Sequence, residues 1–281
     1  MGSAFSPSYA AARDRGRTPA THFPAVNIAL YRPGDARWVM TERGAQDLTR
    51  TPSALSVGPS RLSWDGDELV VNFDERCATF PSPIPARLRG SVRLRPQFLD
   101  GRPVELVPGR HRWWPIAPRA DAEVVLEEPQ LRFEGPAYFD ANAGDEPITH
   151  GFSTWNWSRL HTPSETVVTY HAEPRRSAAV ALAHRYTGRG TRAPLPTILA
   201  PLPRTRWGLS RRAAVDPGQA ASVLRTLEDT PFYARTLVTT ELAGTRGVAV
   251  HESLDATRLT RAWVRFLLPF RSRRLRGATE R

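Results

Sequence analysis

The chain has 281 residues, of which 40% are hydrophobic, and a formal net charge of +11 at pH 7. No apolar run approaches the roughly 18 residues that span a bilayer, and the first residues lack the basic and apolar segments of a secretory signal. We therefore expect neither a transmembrane helix nor a signal peptide. The sequence has no lysine, so all the positive side-chain charge is arginine. These arginines are scattered rather than gathered along one stripe, which argues against a nucleic-acid partner.

Cysteine usage limits the chemistry further. Cys77 is the one cysteine of the chain, which excludes an internal disulfide and a cysteine-based zinc site. A reducing compartment follows as the default. We expect a buried, unreactive thiol at this position.

The 26 prolines and 19 glycines divide the chain into short segments. Most segments alternate polar and apolar residues or are rich in β-branched side chains, which predicts strands. The Asp65-Gly66 dipeptide suits a type I′ turn and predicts a β-hairpin. Strands at this spacing indicate an all-β protein made of sandwiches or barrels. The predicted strands are 27–31, 37–40, 68–73, 90–94, 166–170, 180–184, 237–240 and 247–251.

Two segments have a helical pattern. Residues 41–48 form a short candidate, and residues 256–268 form a longer one near the C-terminus. The longer segment has apolar residues three and four apart, which predicts one buried helical face. That face would contain Leu259, Ala262, Trp263, Phe266 and Leu267.

The strand pattern is interrupted between residues 150 and 165. We therefore predict two β-domains, residues 1–158 and residues 159–281, the second ending in the helix and a basic tail. Apolar residues 266–270 precede that tail. An apolar segment followed by arginines is typical of a chain that rests on an anionic membrane, and equally of a frayed basic end, so both interpretations stay open. The tail arginines are Arg271, Arg273, Arg274 and Arg276.

The stretch from His111 to Pro147 combines the residue types that chemistry requires. Residues two apart on a strand point the same way, so His111 shares a face with Trp113, and Tyr138 shares a face with Asp140. A carboxyl group buried among apolar residues has a pKa above its usual value of about 3.9 and can act as a proton donor. A histidine can accept a proton near neutral pH.

Aromatic residues are dense around this stretch. Their ring faces attract cations, and Trp113, Trp114, Tyr138, Trp155 and Trp157 could line one cavity. A buried acid, a base and an aromatic wall suit a reaction that protonates an apolar substrate, holds a carbocation and lets water capture it.

Each of these residues also has a structural interpretation. Asp140 begins a run of turn-forming residues and could cap a turn, His111 could be a strand-end histidine, and tryptophans of β-proteins usually pack in the core. His111 and His150 lack the spacing of a known metal motif. The chain has no Gly-x-Ser-x-Gly elbow, phosphate-binding loop or dinucleotide fingerprint. The residues alone leave the structural and the catalytic interpretation open.

Short motifs in a fixed order along the whole chain add a resemblance. One of them is Gly109-Arg110-His111-Arg112-Trp113-Trp114-Pro115. Together they resemble the bacterial carotenoid 1,2-hydratases, or hydroxyneurosporene synthases, of the lipocalin-like family that includes the AttH-type proteins. The motifs are 5–7 with Tyr9, 26–31, 37–44, 57–60, 64–66, 109–118, 144–147, 155–159, 224–235 and 250–254.

The resemblance implies two lipocalin-like β-domains and a lyase that needs no cofactor and no metal. The implied reaction adds water to the terminal C1–C2 double bond of an acyclic carotenoid, such as neurosporene or lycopene, and gives a tertiary alcohol. The family's His-x-Trp and Tyr-x-Asp pairs map onto His111 with Trp113 and onto Tyr138 with Asp140. Asp140 is then the proton donor, Trp113 and Tyr138 stabilise the cation, and His111 activates the water. The predicted substrate-binding residues are Trp114, Phe139, Trp155 and Trp157.

The second motif departs from the family pattern Tyr-Leu-Asp-Ser-Asn at two positions. Phe139 replaces the leucine and Ala141 replaces the serine. Strand alternation turns Phe139 away from Asp140, so this change threatens the mechanism little. The loss of a hydroxyl at position 141 removes a possible hydrogen bond near the acid and could alter its pKa or the substrate range.

Two other functions stay open. One is a terpenoid or polyketide cyclase of the same superfamily, in which the cation or a diene is captured within the molecule. The other is a lipocalin-like lipid carrier without catalysis. For the hydratase, the expected partners are the carotenoid, water and a membrane surface, because the substrate is almost insoluble in water. We expect peripheral attachment on the cytoplasmic side of the inner or photosynthetic membrane.

Overall fold

The computed structural model describes residues 6–16, 19–77, 85–188, 190, 192–270 and 273–274. Strands dominate it, so the predicted all-β class is confirmed. The strands are β1 (Ala25–Leu30), β2 (Arg37–Glu42), β3 (Leu48–Arg50), β4 (Ala54–Val57), β5 (Ser60–Asp65), β6 (Glu68–Cys77), β7 (Ala86–Pro96), β8 (Val104–Val107), β9 (His111–Glu128), β10 (Leu131–Gly144), β11 (Phe152–His161), β12 (Glu165–Pro174), β13 (Val180–Thr187), β14 (Arg192–Pro194), β15 (Ile198–Leu202), β16 (Arg211–Val215), β17 (Ser222–Asp229), β18 (Tyr233–Leu242), β19 (Thr245–Asp255) and β20 (Arg273–Arg274).

The helices are short. They are α1 (Pro7–Asp14), α2 (Ile148–Gly151), α3 (Ala256–Leu259) and α4 (Ala262–Leu267), with 3₁₀ turns at Ala20–His22, Ala45–Asp47 and Leu268–Phe270. None of the helices in the described ranges is long and apolar enough to cross a membrane.

The strands form two large and two small sheets among the described residues. The eight-stranded sheet has the order β10-β9-β7-β6-β5-β4-β3, with β8 also paired to β9. The seven-stranded sheet has the order β14-β13-β12-β11-β19-β18-β17, and all its pairings are antiparallel. The small sheets are β15-β16 and β1-β2-β20.

The predicted hairpin joins β5 to β6. Asp65 pairs with Glu68, so Gly66 and Asp67 form a two-residue loop. Gly66 has a φ of 58°, whereas Asp67 is not among the residues with a positive φ, so the loop follows the type II′ pattern and the predicted type I′ turn is corrected. The hairpin prediction at this dipeptide is confirmed.

The chain divides into two compact units, each assembled from separate stretches of sequence. The first contains residues 1–95, 121–135 and 265–281. Its apolar core is built on Val39, Phe73, Leu88 and Leu126. A fully buried carboxylate, Glu75, accepts hydrogen bonds from neighbouring hydroxyls and from a guanidinium, which satisfies a charge that burial would otherwise penalise.

The second unit contains residues 96–120 and 136–264, including the whole seven-stranded sheet. Val167 and Val168 are consecutive on β12, and strand alternation sends them into different cores. Val168 packs with Trp113 and Tyr170, whereas Val167 packs with Leu160 and with residues of the β15-β16 sheet. The face that carries Val168 is the one that faces the candidate site.

The division of the chain differs from the predicted boundary after residue 158. That residue lies inside β11, and β9 and β10 each contribute residues to both units. The compact units therefore follow non-local strand contacts, which a break in the strand pattern does not reveal.

Both helix predictions need correction. Residues 41–48 contain the end of β2, a 3₁₀ turn and β3 instead of a helix, because residues 37–42 pair with β1. Residues 256–268 form two helices separated by a turn at positions 260 and 261. The turn changes which side chains face inward, so Trp263 and Phe266 are 44% and 70% exposed while Val264 is buried.

Two predictions fall outside what the structure describes. The side chain of Cys77 is one of them, so its predicted burial stays a prediction. The other concerns the tail arginines, since Arg271 and Arg276 lie outside the described residues, as do the side chains of Arg273 and Arg274.

Candidate active site

Asp140 accepts two hydrogen bonds on one carboxyl oxygen. The indole Nε1 of Trp113 donates to Oδ2 over 2.8 Å, and the hydroxyl of Tyr138 donates to the same atom over 3.1 Å. We call Trp113, Tyr138 and Asp140 the acid trio. Asp140 lies within β10, so the interpretation of this residue as a turn cap is wrong. The structure brings three of the four predicted catalytic residues into direct contact.

The surroundings of the acid trio favour a protonated carboxyl group. Burial raises the pKa of Asp140 to about 6, although the hydrogen bonds from Trp113 and Tyr138 lower it. Among the charged neighbours, Glu252 raises this pKa and Arg159 lowers it. Burial also raises the pKa of Tyr138 well above its usual value, so Tyr138 stays a hydrogen-bond donor.

Protein surrounds Tyr138 and Asp140 closely, yet both residues keep part of their accessible surface. Groups that line a cavity have this combination. Trp113 is fully buried behind them. The carboxyl group is therefore largely shielded from bulk water without being fully enclosed.

An aromatic wall faces the acid trio from the seven-stranded sheet. Trp155 and Trp157 lie two residues apart on β11 and so share one face. The rings of Trp157 and Tyr138 have their centroids 5.3 Å apart, and Tyr170 lies 5.3 Å from Trp113 and 5.8 Å from Trp155. These distances are typical of packed aromatic pairs. The structure thus places Trp155 and Trp157 beside the acid trio.

The sequence did not single out Tyr170, His184 or Tyr186, which belong to the same wall. The imidazole of His184 stacks on the indole of Trp113 at 6.4 Å with an interplanar angle of 4°. Burial lowers the pKa of His184 to about 4, so this ring is neutral near pH 7. Tyr186 is fully buried at the edge of His184. Strand periodicity predicts the strands that carry Tyr170 and His184. Their contacts with Trp113 join residues far apart in sequence, so the pattern does not reveal them.

Arg159 is another residue near the acid trio that the sequence did not single out. It follows Trp157 by two residues on β11 and faces the same side, and its guanidinium carbon lies 5.7 Å from the ring centroid of Tyr138. The intervening residues face the opposite side, where Ser158 Oγ lies 2.8 Å from His251 Nδ1. Arg159 belonged to a recognised motif, but the motif gave no sign of its contact with Tyr138.

His111 occupies a separate pocket of side chains. Its ring packs on Phe152 at 4.8 Å, and its Nε2 lies 3.6 Å from Oε1 of Glu146. A Cβ atom built on Gly144 would lie 2.4 Å from Nδ1, and one on Gly151 would lie 2.3 Å from Nε2. The imidazole therefore fills a space that exists because both neighbours are glycine.

The charge state of His111 follows from these contacts. Burial lowers its pKa, and Glu146 raises it by less. His111 is therefore neutral at pH 7 and can accept a proton. Its hydrogen-bonding contacts do not include Asp140, whose partners are Trp113 and Tyr138. Glu146 lies in the bend that follows β10 and faces His111.

Two predicted substrate-binding residues are turned away from the acid trio. Trp114 follows Trp113 on β9 and so points to the other face, where it is 39% exposed and donates its indole N–H to the carbonyl of Asp100. Phe139 lies between Tyr138 and Asp140 on β10, and alternation turns it to the opposite face. Phe139 thus faces away as strand alternation predicts, and the role of both residues in substrate binding stays a prediction.

Within the ranges that the structure describes, no three His, Cys, Asp or Glu side chains are grouped so that they could hold a metal ion. His111 and His150, the two histidines of the metal interpretation, form no such group there.

Comparison with known proteins places the chain in a family. The family model for "Carotenoid hydratase CrtC" matches residues 1–280. The acyclic carotenoid 1,2-hydratase of Thiocapsa roseopersicina is 43% identical over 99% of this chain and 68% of its own length. The enzyme of the same name from Rhodobacter capsulatus is 35% identical over 99% of this chain and 97% of its own length.

Solved structures support the fold. A Nitrosomonas europaea protein assigned as AttH has a TM-score of 0.60 at 11% identity, covering 83% of this chain and 81% of that one. Kievitone hydratase from Nectria haematococca has a TM-score of 0.57 at 14% identity, covering 84% of this chain and 85% of that one. The expected lipocalin-like, AttH-related fold and the expected family are both confirmed. With this match over nearly its whole length, the chain belongs to the carotenoid hydratase family.

Proposed function

We propose that this protein is an acyclic carotenoid 1,2-hydratase. It adds water to the terminal C1–C2 double bond of a carotenoid such as neurosporene or lycopene. The observation that carries the proposal is the carboxyl group of Asp140, which is buried, raised in pKa to about 6, and held by Trp113 and Tyr138 against an aromatic wall. The names of the relatives support the same reaction class.

In the first step, Asp140 transfers its proton to C2. Both hydrogen-bond donors of the acid trio converge on Oδ2, so Oδ1 carries the proton that is transferred. The π electrons of the double bond form the new C–H bond and leave a tertiary cation at C1. The two hydrogen bonds strengthen as Oδ2 gains negative charge, since charge-assisted hydrogen bonds are stronger than neutral ones.

In the second step, aromatic rings stabilise the cation. Tyr138 and Trp157, which keep part of their accessible surface, supply rings beside the carboxyl group, and the fully buried indole of Trp113 lies behind them. A desolvated cation–ring contact contributes about 2 kcal/mol.

In the third step, a water oxygen attacks C1 and loses a proton to a base. We assign the base to His111, which is neutral at pH 7 and whose Nε2 accepts no hydrogen bond within the described part of the chain. Glu146, 3.6 Å away, stabilises the imidazolium that forms. The proton returns to Asp140 through solvent. The addition is redox-neutral, so it balances with water alone.

Product mass tests the proposal against its rivals. The protein is incubated anaerobically with lycopene and, separately, with neurosporene, and the products are analysed by mass spectrometry. A hydratase adds the mass of one water molecule, a cyclase gives an isomer of unchanged mass, and a carrier returns the substrate. A product without the added water from both carotenoids would exclude the hydratase.

We also propose that the enzyme takes its substrate from a membrane surface on the cytoplasmic side of the inner or photosynthetic membrane. Trp207 and Trp263 support this. Their rings stack at 6.1 Å, and they are 47% and 44% exposed. The exposed Arg206 precedes Trp207 directly, and the exposed Arg261 lies two residues before Trp263. Tryptophans prefer the bilayer interface, and arginines favour anionic lipid.

A further inference from the structure

We propose that Arg159 binds the water molecule that attacks the cation. The guanidinium then delivers the oxygen that becomes the hydroxyl group of the product. This inference rests on the proposed hydratase function and adds a residue to which neither the family motifs nor the relatives' names assign a role.

Arg159 is a half-buried cation that makes no ion pair or hydrogen bond with the described residues. Its Nε is shielded from solvent and has no hydrogen-bond partner in the described part of the chain. None of the ion pairs between described residues includes it. Burial lowers its pKa, which reports the same desolvation. Because a buried charge is unfavourable unless it is hydrogen-bonded, a partner for these N–H groups is expected.

Two other arginines, the buried Arg211 and the half-buried Arg235, show what this fold usually provides. Arg211, which is 4% exposed, donates to the carbonyl of Pro203 and to the hydroxyls of Thr226 and Thr236. Arg235, on the same inner face as Arg159, pairs with Glu252 at 2.8 Å. Arg159 differs from both, since its described contact is the ring face of Tyr138.

The position of Arg159 places its expected hydrogen-bond partner beside the acid trio. Its guanidinium carbon lies 5.7 Å from the Tyr138 ring, and the hydroxyl of that ring donates to Asp140 over 3.1 Å. The indole of Trp157, 5.3 Å from the same ring, also has an Nε1 that lacks an acceptor among the described residues. Two unsatisfied donors thus flank the ring next to the acid.

The chemistry of these donors selects the ligand. Guanidinium and indole N–H groups donate and do not accept, so the ligand must present an oxygen lone pair. An acyclic hydrocarbon has none, whereas water does. A water molecule that accepts a single hydrogen bond, from Arg159, keeps its second lone pair for attack on C1. The C1–O bond then forms, and the oxonium proton passes through solvent to His111, because arginine cannot take it.

Deuterium separates water capture from proton transfer. In D₂O, Asp140 delivers a deuteron to C2, and a cation that is not captured loses a proton from a neighbouring methyl group. That route gives a carotenoid isomer with deuterium at C2 and no hydroxyl group. We expect Arg159→Met to lower hydration about 100-fold, as misplaced reactants do, while the deuterated isomer becomes the main product. The ratio of alcohol to deuterated isomer is measured by mass spectrometry with lycopene.

Two further variants control for folding. Arg159→Lys keeps a donor on a shorter side chain, and we expect it to recover part of the alcohol. Arg211→Met removes a buried arginine whose contacts are elsewhere, so it can lower the amount of folded protein but leaves the product ratio unchanged. Thermal unfolding reports whether each variant folds.

The outcomes distinguish this inference from the proposed function. If Arg159→Met keeps the wild-type ratio, or if alcohol and isomer fall together in the folded variants, Arg159 does not hold the water. If wild-type protein itself yields neither alcohol nor deuterated isomer, the hydratase function fails and the role of Arg159 fails with it.

Discussion

Trp113 donates its indole N–H to Oδ2 of Asp140 over 2.8 Å, although the two residues lie 27 positions apart on different strands. The bond ties the acid to a fully buried indole and leaves Oδ1 to carry the proton. It also joins the His-x-Trp and Tyr-x-Asp pairs, which the chain presents separately, into one group.

Removing the acid should abolish hydration while preserving the fold. Asp140→Asn keeps an oxygen acceptor for Trp113 and Tyr138 but cannot protonate C2. We expect no detectable alcohol from lycopene by mass spectrometry and a normal circular dichroism spectrum. Substantial hydration by the folded variant would show that Asp140 is not the proton donor.

The same substitution should change how stability depends on pH. The folded-state pKa of Asp140, about 6, lies above its value in an unfolded chain. The folded state therefore holds the proton more tightly, and this stabilisation is complete below about pH 4 and is lost as pH rises through 6. Asp140→Asn should gain up to about 3 kcal/mol of unfolding free energy relative to wild type between pH 4 and 8. Urea unfolding at both pH values measures it, and a constant difference would contradict the raised pKa.

Hydration should depend on pH through the same group. The kcat/KM for lycopene should be level below about pH 6 and fall tenfold per pH unit above it, since only protonated Asp140 can donate. Tyr138 stays neutral over this range because its pKa is raised well above the usual value. Initial rates from pH 5 to 9 test this, and a rate that rises with pH would argue for a different acid.

Trp113→Phe should shift that profile towards higher pH. The indole hydrogen bond lowers the pKa of Asp140, so its removal raises that pKa and moves the alkaline limb upward. We also expect a loss of about 1–2 kcal/mol in unfolding free energy. Trp155→Phe is the matched control, because the Trp155 Nε1 has no hydrogen-bond partner among the described residues. The alkaline limb of the pH–rate profile of this variant should not move. An unshifted limb in Trp113→Phe would contradict the assigned bond.

A methyl group beside His111 should displace its ring. The Cβ of Gly144→Ala would lie 2.4 Å from Nδ1, too close for any real contact. We expect hydration to fall and the unfolding free energy to drop by about 1–3 kcal/mol, as in overpacked cores. Gly135→Ala, on the same strand with nothing within 4 Å of the added Cβ, should leave both unchanged. Equal effects of the two variants would mean that His111 is not held as described.

The exposed tryptophan pair should control membrane binding. Replacing Trp207 and Trp263 with serine removes two half-exposed interfacial side chains. We expect weaker co-sedimentation with anionic phosphatidylglycerol vesicles and unchanged folding. Leu224→Ser, at a residue that is 60% exposed on β17, is the control and should bind normally. Equal binding by the double variant and wild type would remove the pair from the membrane contact.

Local patterns determined much of this protein from the sequence alone. Alternation along a strand depends on residues two apart, so it placed His111 with Trp113 and Tyr138 with Asp140 on common faces. The Asp65-Gly66 hairpin and the all-β class rest on equally local preferences and are confirmed. The ordered motifs identified the family, because many weak matches in one order are specific together.

Tertiary structure alone decided which of these faces meet. Register between strands and packing between sheets depend on contacts far apart in sequence, and no local pattern encodes them. They bring Trp113 to Asp140 and Arg159 to the ring of Tyr138, and they place His111 between Gly144 and Gly151 beside Glu146. They also break the C-terminal helix so that Trp263 faces outward.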